Sequence, residues 1–333
     1  MSSTEDSMVT HEGATIQIPL IQRIVDFTES YIMIVIISVG IFGNTLSFII
    51  FLRVRKRADA FVQYLCSLAI SDTAVILVLG FSDWVAYGLK HITGGTISFN
   101  FMIYNSLTCK LHAATVQYFM CISAWIIVSF SLERAYVVWF PLKRNTITKT
   151  KRLRLIITIS IIFILLTIHR LIVVDVTPGT PALCYYTDPK IALIIWQLEI
   201  ALYNYVPCIL IFTANILILI AVNLSKHDDL GKTRTKSRSE AKLLISLLLV
   251  STLYVILLMP LSTLMTYLAE EKDNMRQDEA ALLYYLLKIL IQISVINYCQ
   301  NFIIYGCTLP FYRQEARAIF SLFLPKVLSK LRH

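Results

Sequence analysis

An all-α bundle of seven membrane-spanning helices is the fold class this sequence predicts. Three observations carry it: seven apolar runs long enough to cross a bilayer, a shortage of charge, and Lys and Arg crowded into alternate loops. A hydrocarbon core of ~30 Å needs about 20 apolar residues per helix. Runs 30–52, 111–132, 243–269 and 289–312 contain no Asp, Glu, Lys or Arg. Run 60–82 is interrupted only by Asp72, and run 191–222 only by Glu199. The fourth run, 155–174, is the weakest, with His169 and Arg170 near its end.

Of the 333 residues, 57% are hydrophobic and only 15% charged, where a soluble domain would carry about a quarter charged residues. One bundle consumes nearly the whole chain and leaves no room for a second ordinary domain. The expected division is a polar tail over 1–29, the bundle over 30–310, and a segment over 311–333. Within that last segment 311–324 reads as a short amphipathic helix after the seventh span, with Phe311, Ala318, Ile319, Leu322 and Phe323 on one stripe. Such a helix rests on membrane lipid.

The net charge of +9 is read as orientation, with no nucleic-acid partner. Segments 53–58, 143–154, 226–242 and 313–332 hold 21 of the 30 basic residues, and such an excess in alternate loops marks the cytosolic side. The amino terminus is then extracellular and the carboxyl terminus cytosolic, in the plasma membrane. No basic start followed by an apolar core opens the chain, so no cleavable signal peptide is expected and the first helix serves as the insertion signal. The Asn223-Leu224-Ser225 acceptor falls on the cytosolic side. Five of seven cysteines lie inside apolar runs. Cys109, at the outer end of the third helix, and Cys184, in the following outer loop, face an oxidising compartment. A bridge between them would tie that loop across the bundle mouth, worth roughly 4 kcal/mol in the chain-entropy model; two free thiols are the alternative.

Three constellations carry chemistry. Asp72 sits mid-span, where a carboxylate costs roughly 2.5–3.5 kcal/mol, so it must face the interior and find partners. Asn44, Ser123, Asn297 and Asn301 lie at comparable depth. These side chains suit a small hard cation such as sodium, with Asp72 and Ser123 as ligands, or a hydrogen-bond hub without an ion, or a protonated Asp72. Glu133-Arg134 closes the third run at the cytosolic end, and Glu240 opens the sixth helix there. Held by both glutamates, Arg134 would clamp two helices in a bistable switch; otherwise it snorkels among interfacial ion pairs. Pro207 and Pro260 lie inside the fifth and sixth helices, where each deletes a backbone hydrogen bond and permits a kink.

Together these residues resemble the rhodopsin-like (class A) G-protein-coupled receptors, over about residues 31–323. The matching motifs are Gly43-Asn44, Leu68-Ala69-Ile70-Ser71-Asp72, Cys109, Ser123, Glu133-Arg134-Ala135, Pro141, Pro207, Glu240, Pro260 and Asn301-Phe302-Ile303-Ile304-Tyr305. The resemblance implies a sodium-linked hub at Asp72 and a Cys109–Cys184 disulfide. It also implies a G-protein switch at Glu133, Arg134, Glu240 and Tyr305, hence a heterotrimeric G-protein partner. Departures are plain: Ala135 ends the Glu-Arg-Tyr motif, Phe302 stands for the helix-seven Pro, and Leu258 stands for the helix-six Trp. The helix-four Trp is missing, and Asn215 replaces a helix-five Tyr. These mark a divergent, invertebrate-type receptor.

The same resemblance argues against two ligand classes. The position of the amine-pairing Asp is Val116, and that of the Schiff-base Lys is Val295. Lys288, nearer the outer surface, reads as a rim charge. The outer half otherwise offers Gln117, His169, Arg170, Glu199, Tyr203, Tyr267, Tyr284, Tyr285 and Gln292, a mixture of charge and phenol that suits an extracellular peptide. Glu270, Glu271, Asp273, Asp278 and Glu279 make the third outer loop acidic, able to steer a cationic peptide or simply a solvated loop. Segment 138–143 also looks like that of invertebrate neuropeptide receptors. Rival expectations are a G-protein-silent partner or scaffold, and a transporter or channel. No His-Glu-x-x-His spacing or phosphate-binding Gly loop points to an enzyme. After Tyr312 only Ser321 and Ser329 offer hydroxyls for phosphorylation.

Overall fold

The computed structural model describes residues 19–54, 61–97, 99–177, 183–228, 234–271 and 275–330. Among these residues seven helices are long and apolar enough to span a membrane: α1 Pro19–Val54, α2 Val62–Ile92, α3 Ser106–Trp139, α4 Lys149–Val173, α5 Ile191–Ala221, α6 Leu244–Glu271 and α7 Gln277–Cys299. A hairpin of β1 Val174–Thr177 and β2 Leu183–Tyr186 follows α4. Two further helices close the chain, α8 Asn301–Thr308 and α9 Pro310–Lys330. The fold class is the predicted one.

Local chemistry explains the ends. Thr108 N donates to the Asn105 side chain (2.8 Å) while Asn105 N donates back to Thr108 Oγ1 (3.1 Å), a reciprocal cap that starts α3. Thr148 Oγ1 accepts from Lys151 N at the start of α4. After α2 the chain turns through Gly94 and Gly95, both at positive φ (58° and 85°), a conformation that strongly favours glycine. α1 begins eleven residues before the apolar run at 30, passing through a π-helical turn at Thr28–Ile32.

α3 is the most enclosed span, 61% of its apolar window buried, against 22% for α4 and 17% for α7. It is therefore the bundle's central post, and the outward apolar side chains of the other helices are left for lipid. The helix breaks at Gln300 even though Phe302 occupies the Pro position. α9 is held under the bundle by Ser47 Oγ with Tyr312 Oη (2.9 Å) and by Arg53 with Glu315 (3.3 Å). Arg313 donates to the carbonyls of Gly306 and Cys307, which otherwise end α8 unpaired. The side chains of Leu322 and Phe323, expected on its apolar stripe, lie outside the described residues.

Candidate functional site

At one end of the bundle Cys109 and Cys184 form a disulfide, Cα atoms 5.5 Å apart, pinning the hairpin over α3. Asp175 of β1 pairs with Lys110 at 3.3 Å, and its carboxyl is held below the usual range by hydrogen bonds from Ser106 and the Val176 amide. Beneath the hairpin lies a buried ionic network. Arg170 Nε donates to Glu199 Oε1 (2.6 Å) and its Nη2 to Glu199 Oε2, while Tyr186 Oη donates to the same Oε2 (2.7 Å). Burial pushes the Tyr186 phenol up. Arg170 also reaches the Ala113 carbonyl (3.2 Å) and Gln117 Oε1 (3.5 Å), and His169 Nε2 lies 3.3 Å from Glu199. Four predicted outer residues therefore meet in one network; Tyr186 was not among them.

Lys288 is not at the rim. Its side chain is 13% exposed and pairs with Glu29 of α1 at 3.3 Å. Its Nζ sits 3.2 Å from the centroid of the Tyr87 ring and 5.9 Å from that of Tyr284, within cation–π range. Asp83, Trp84 and Gln292 line a small cavity with this pair. Glu29 approaches because Gly88 has no side chain: a Cβ there would meet the Glu29 carbonyl at 2.4 Å. Tyr267 and Tyr284 are exposed, and Tyr284 packs edge-on against Tyr285 (5.5 Å). Asp273 of the acidic loop lies outside the described residues.

In mid-bundle, Asp72 accepts from Ser123 Oγ (2.6 Å) and Asn301 Nδ2 (2.7 Å), so α2, α3 and α8 converge on one buried carboxylate. The other two predicted partners turn elsewhere. Asn44 Nδ2 donates to the Tyr298 carbonyl (2.9 Å), and Asn297 Oδ1 accepts from Gln300 (3.3 Å). The amide oxygens of Asn44 and Asn301 are buried without a hydrogen-bond partner. The Asp72 carboxylate, the Ser123 hydroxyl and the Asn301 amide meet at one point and offer oxygen donors, the ligand type that a hard cation takes. Among the described residues no cluster of three His, Cys, Asp or Glu exists for a metal ion.

α5 and α6 are joined by a polar ladder that sequence reasoning missed. Pro207 has no N–H to offer the Tyr203 carbonyl one turn back; the Tyr254 hydroxyl of α6 donates to that carbonyl instead (2.5 Å). Asn204 Nδ2 donates to Ser262 Oγ and to the Leu258 carbonyl (3.2 Å). Tyr205 Oη meets Thr266 Oγ1 (3.0 Å), and Asn215 Nδ2 donates to Ser251 Oγ (2.7 Å). A signal existed: Asn204, Asn215, Ser251 and Ser262 are polar residues inside apolar spans, which seek partners across helices. Pro260 lies in the same stretch of α6.

At the opposite end Glu133 is claimed chiefly by Arg152 of α4, a residue read only as loop charge. Arg152 Nε contacts both Glu133 oxygens (2.8 and 2.9 Å) and Nη2 lies 2.8 Å from Oε1; Tyr64 also hydrogen-bonds Glu133. Arg134 is 3.6 Å from Glu133 and lies over the rings of Phe130 (5.4 Å) and Phe61 (5.8 Å). The side chain of Glu240 lies outside the described residues. Tyr305 is buried, edge-on to Phe51 (5.3 Å) and beside Tyr312 (6.0 Å).

Seven spans around a central α3, a mid-span carboxylate hub and a buried Glu-Arg pair at one end define a membrane receptor of the seven-helix class. The chain matches the family described as 7 transmembrane receptor (rhodopsin family) over residues 43–305, and it belongs to that family. It is therefore a G-protein-coupled receptor, a multi-pass membrane protein of a family whose partners are an extracellular ligand and a heterotrimeric G protein. No curated protein matches the chain.

Proposed function

We propose that this receptor sits in the plasma membrane with its disulfide end outside, binds a neuropeptide there and activates a heterotrimeric G protein at the Arg134 end. The observation that carries the peptide reading is the chemistry of the disulfide end. Two partly buried ion pairs, Arg170–Glu199 and Lys288–Glu29, lie on different helices beside the phenols of Tyr186, Tyr87 and Tyr284. A ligand carrying both charge signs and amide groups can exchange partners with both pairs. A sterol or a fatty acid offers no such combination, and a lone amine meets Val116 where a carboxylate would be needed.

Ligand binding favours the state in which α3 and α6 part at the inner end; each ~1.4 kcal/mol of preferential binding shifts its population tenfold. Asp72 and Ser123 would hold a sodium ion in the resting state, its charge balancing the buried carboxylate. The test is a panel of cationic peptides applied to cells expressing the receptor, read by G-protein activation. Glu199→Gln and Lys288→Met should each lower peptide potency tenfold or more at equal surface expression. Unchanged potency in both variants would remove the pocket.

A further inference from the structure

The connection from α2 to α3 differs in chemistry from the other two at the disulfide end. Residues 92–109 contain no Asp, Glu, Lys, Arg or His, whereas the other connections carry Asp175 and Asp188, and Arg276 and Asp278. Its large apolar side chains are turned outward: Ile92, Ile97, Phe99, Phe101, Tyr104 and Leu107 are between 43% and 68% exposed. Phe99 gathers two other rings around it, Tyr104 at 5.6 Å and Phe101 at 6.4 Å. An apolar patch of this kind marks an interaction surface. We propose that this loop is immersed in the interfacial layer of the leaflet at the disulfide end, with its aromatic face against lipid.

Three observations favour lipid over a peptide or a second copy. The patch continues into the surface that α3 turns to the membrane, since Leu107 and Leu111 lie one turn apart and both are exposed. The height also fits. Leu132 directly precedes the charged Glu133 and Arg134 and so marks the far edge of the hydrocarbon. Leu107 lies about 37 Å from it along the helix, beyond the ~30 Å core but within the ~40–45 Å of the whole bilayer. That is the layer where aromatic rings collect. Finally, the loop satisfies its own polar groups, which lowers the cost of leaving water. Asn100 Oδ1 accepts from Met102 N (3.0 Å), Thr93 Oγ1 accepts from Ile97 N (3.2 Å), and Asn105 and Thr108 cap each other. A peptide bearing charges finds no partner on this face. Because the Phe101–Ile103 turn lies against both α3 and β2, immersion ties the disulfide-bridged hairpin to the leaflet.

Spin labels test this in the full chain, carrying Cys307→Ser to remove the exposed free thiol and held in phosphatidylcholine nanodiscs. Phe101→Cys and Tyr104→Cys each receive one label; both side chains are exposed, so little packing is lost. Leu111→Cys supplies a lipid-facing reference and Arg276→Cys a reference in the third outer loop. Collision with oxygen, which partitions into lipid, should exceed collision with a water-soluble nickel chelate at 101 and 104, as at 111, with the reverse at 276. The ratio should place both labels roughly 5–10 Å inside the headgroup boundary. Nickel dominance at either loop site would overturn the proposal, and so would shielding from both reagents, which would mean a protein partner. The measurement does not depend on which side of the membrane the loop occupies or on any ligand.

Discussion

Gly43 of α1 and Phe302 of α8 fit each other so closely that a Cβ on Gly43 would lie 2.0 Å from Cδ1 of the Phe302 ring. The glycine is what admits a phenyl ring at the place where related receptors carry proline. Gly43→Ala should therefore destabilise the receptor by about 1–3 kcal/mol through overpacking, and Gly43→Ala/Phe302→Ala should recover most of that loss. Thermal unfolding of the four proteins in a double-mutant cycle checks the coupling; additive losses would mean that the two sites are independent.

Tyr254→Phe removes the donor to the carbonyl that Pro207 leaves unpaired. An unsatisfied buried carbonyl costs about 1–3 kcal/mol, somewhat less between membrane helices. In the proposed mechanism this ladder ties the pocket residue Tyr203 to α6, so Tyr254→Phe should also alter basal G-protein activation at constant surface expression. Basal activity measured beside thermal stability separates the two effects, and a drop in stability alone would confine Tyr254 to packing.

The Glu133–Arg152 pair is enclosed, with side chains 5% and 6% exposed. Removing one partner of such a pair strands a buried charge, at about 3–5 kcal/mol, whereas replacing both is far milder. Arg152→Met should lower stability sharply, and Glu133→Gln/Arg152→Met should restore much of it. Chemical denaturation in detergent measures this directly.

Sodium should weaken agonist binding in the native receptor, and Asp72→Asn should abolish that dependence, because the amide cannot balance a cation. Radioligand competition across a sodium series, with potassium holding ionic strength constant, gives the answer. Sodium-independent binding by the unaltered receptor would exclude the ion.

The seven spans were legible because a bilayer reads hydropathy run by run, with no tertiary contact needed. The disulfide was legible because Cys109 and Cys184 alone among seven cysteines lie outside the apolar runs. Lys288 was misplaced for a physical reason: Glu29 belongs to a helical extension of α1 that its own charge keeps out of the apolar run. The partners of Asn44 and Asn297 depend on the break at Gln300, which no proline announces. Arg152 stands among five other basic residues between 143 and 154, and only its position on the inward face of α4 distinguishes it.

Nucleotide exchange on purified heterotrimeric G proteins is the most direct test of the receptor's proposed action. The receptor in lipid nanodiscs should accelerate exchange at least tenfold with one or more cationic peptides from the panel. Arg134→Ala, folded and still binding that peptide, should not. Exchange that no peptide stimulates, or that persists undiminished in Arg134→Ala, would contradict the coupling of a peptide pocket at one end to a G-protein switch at the other.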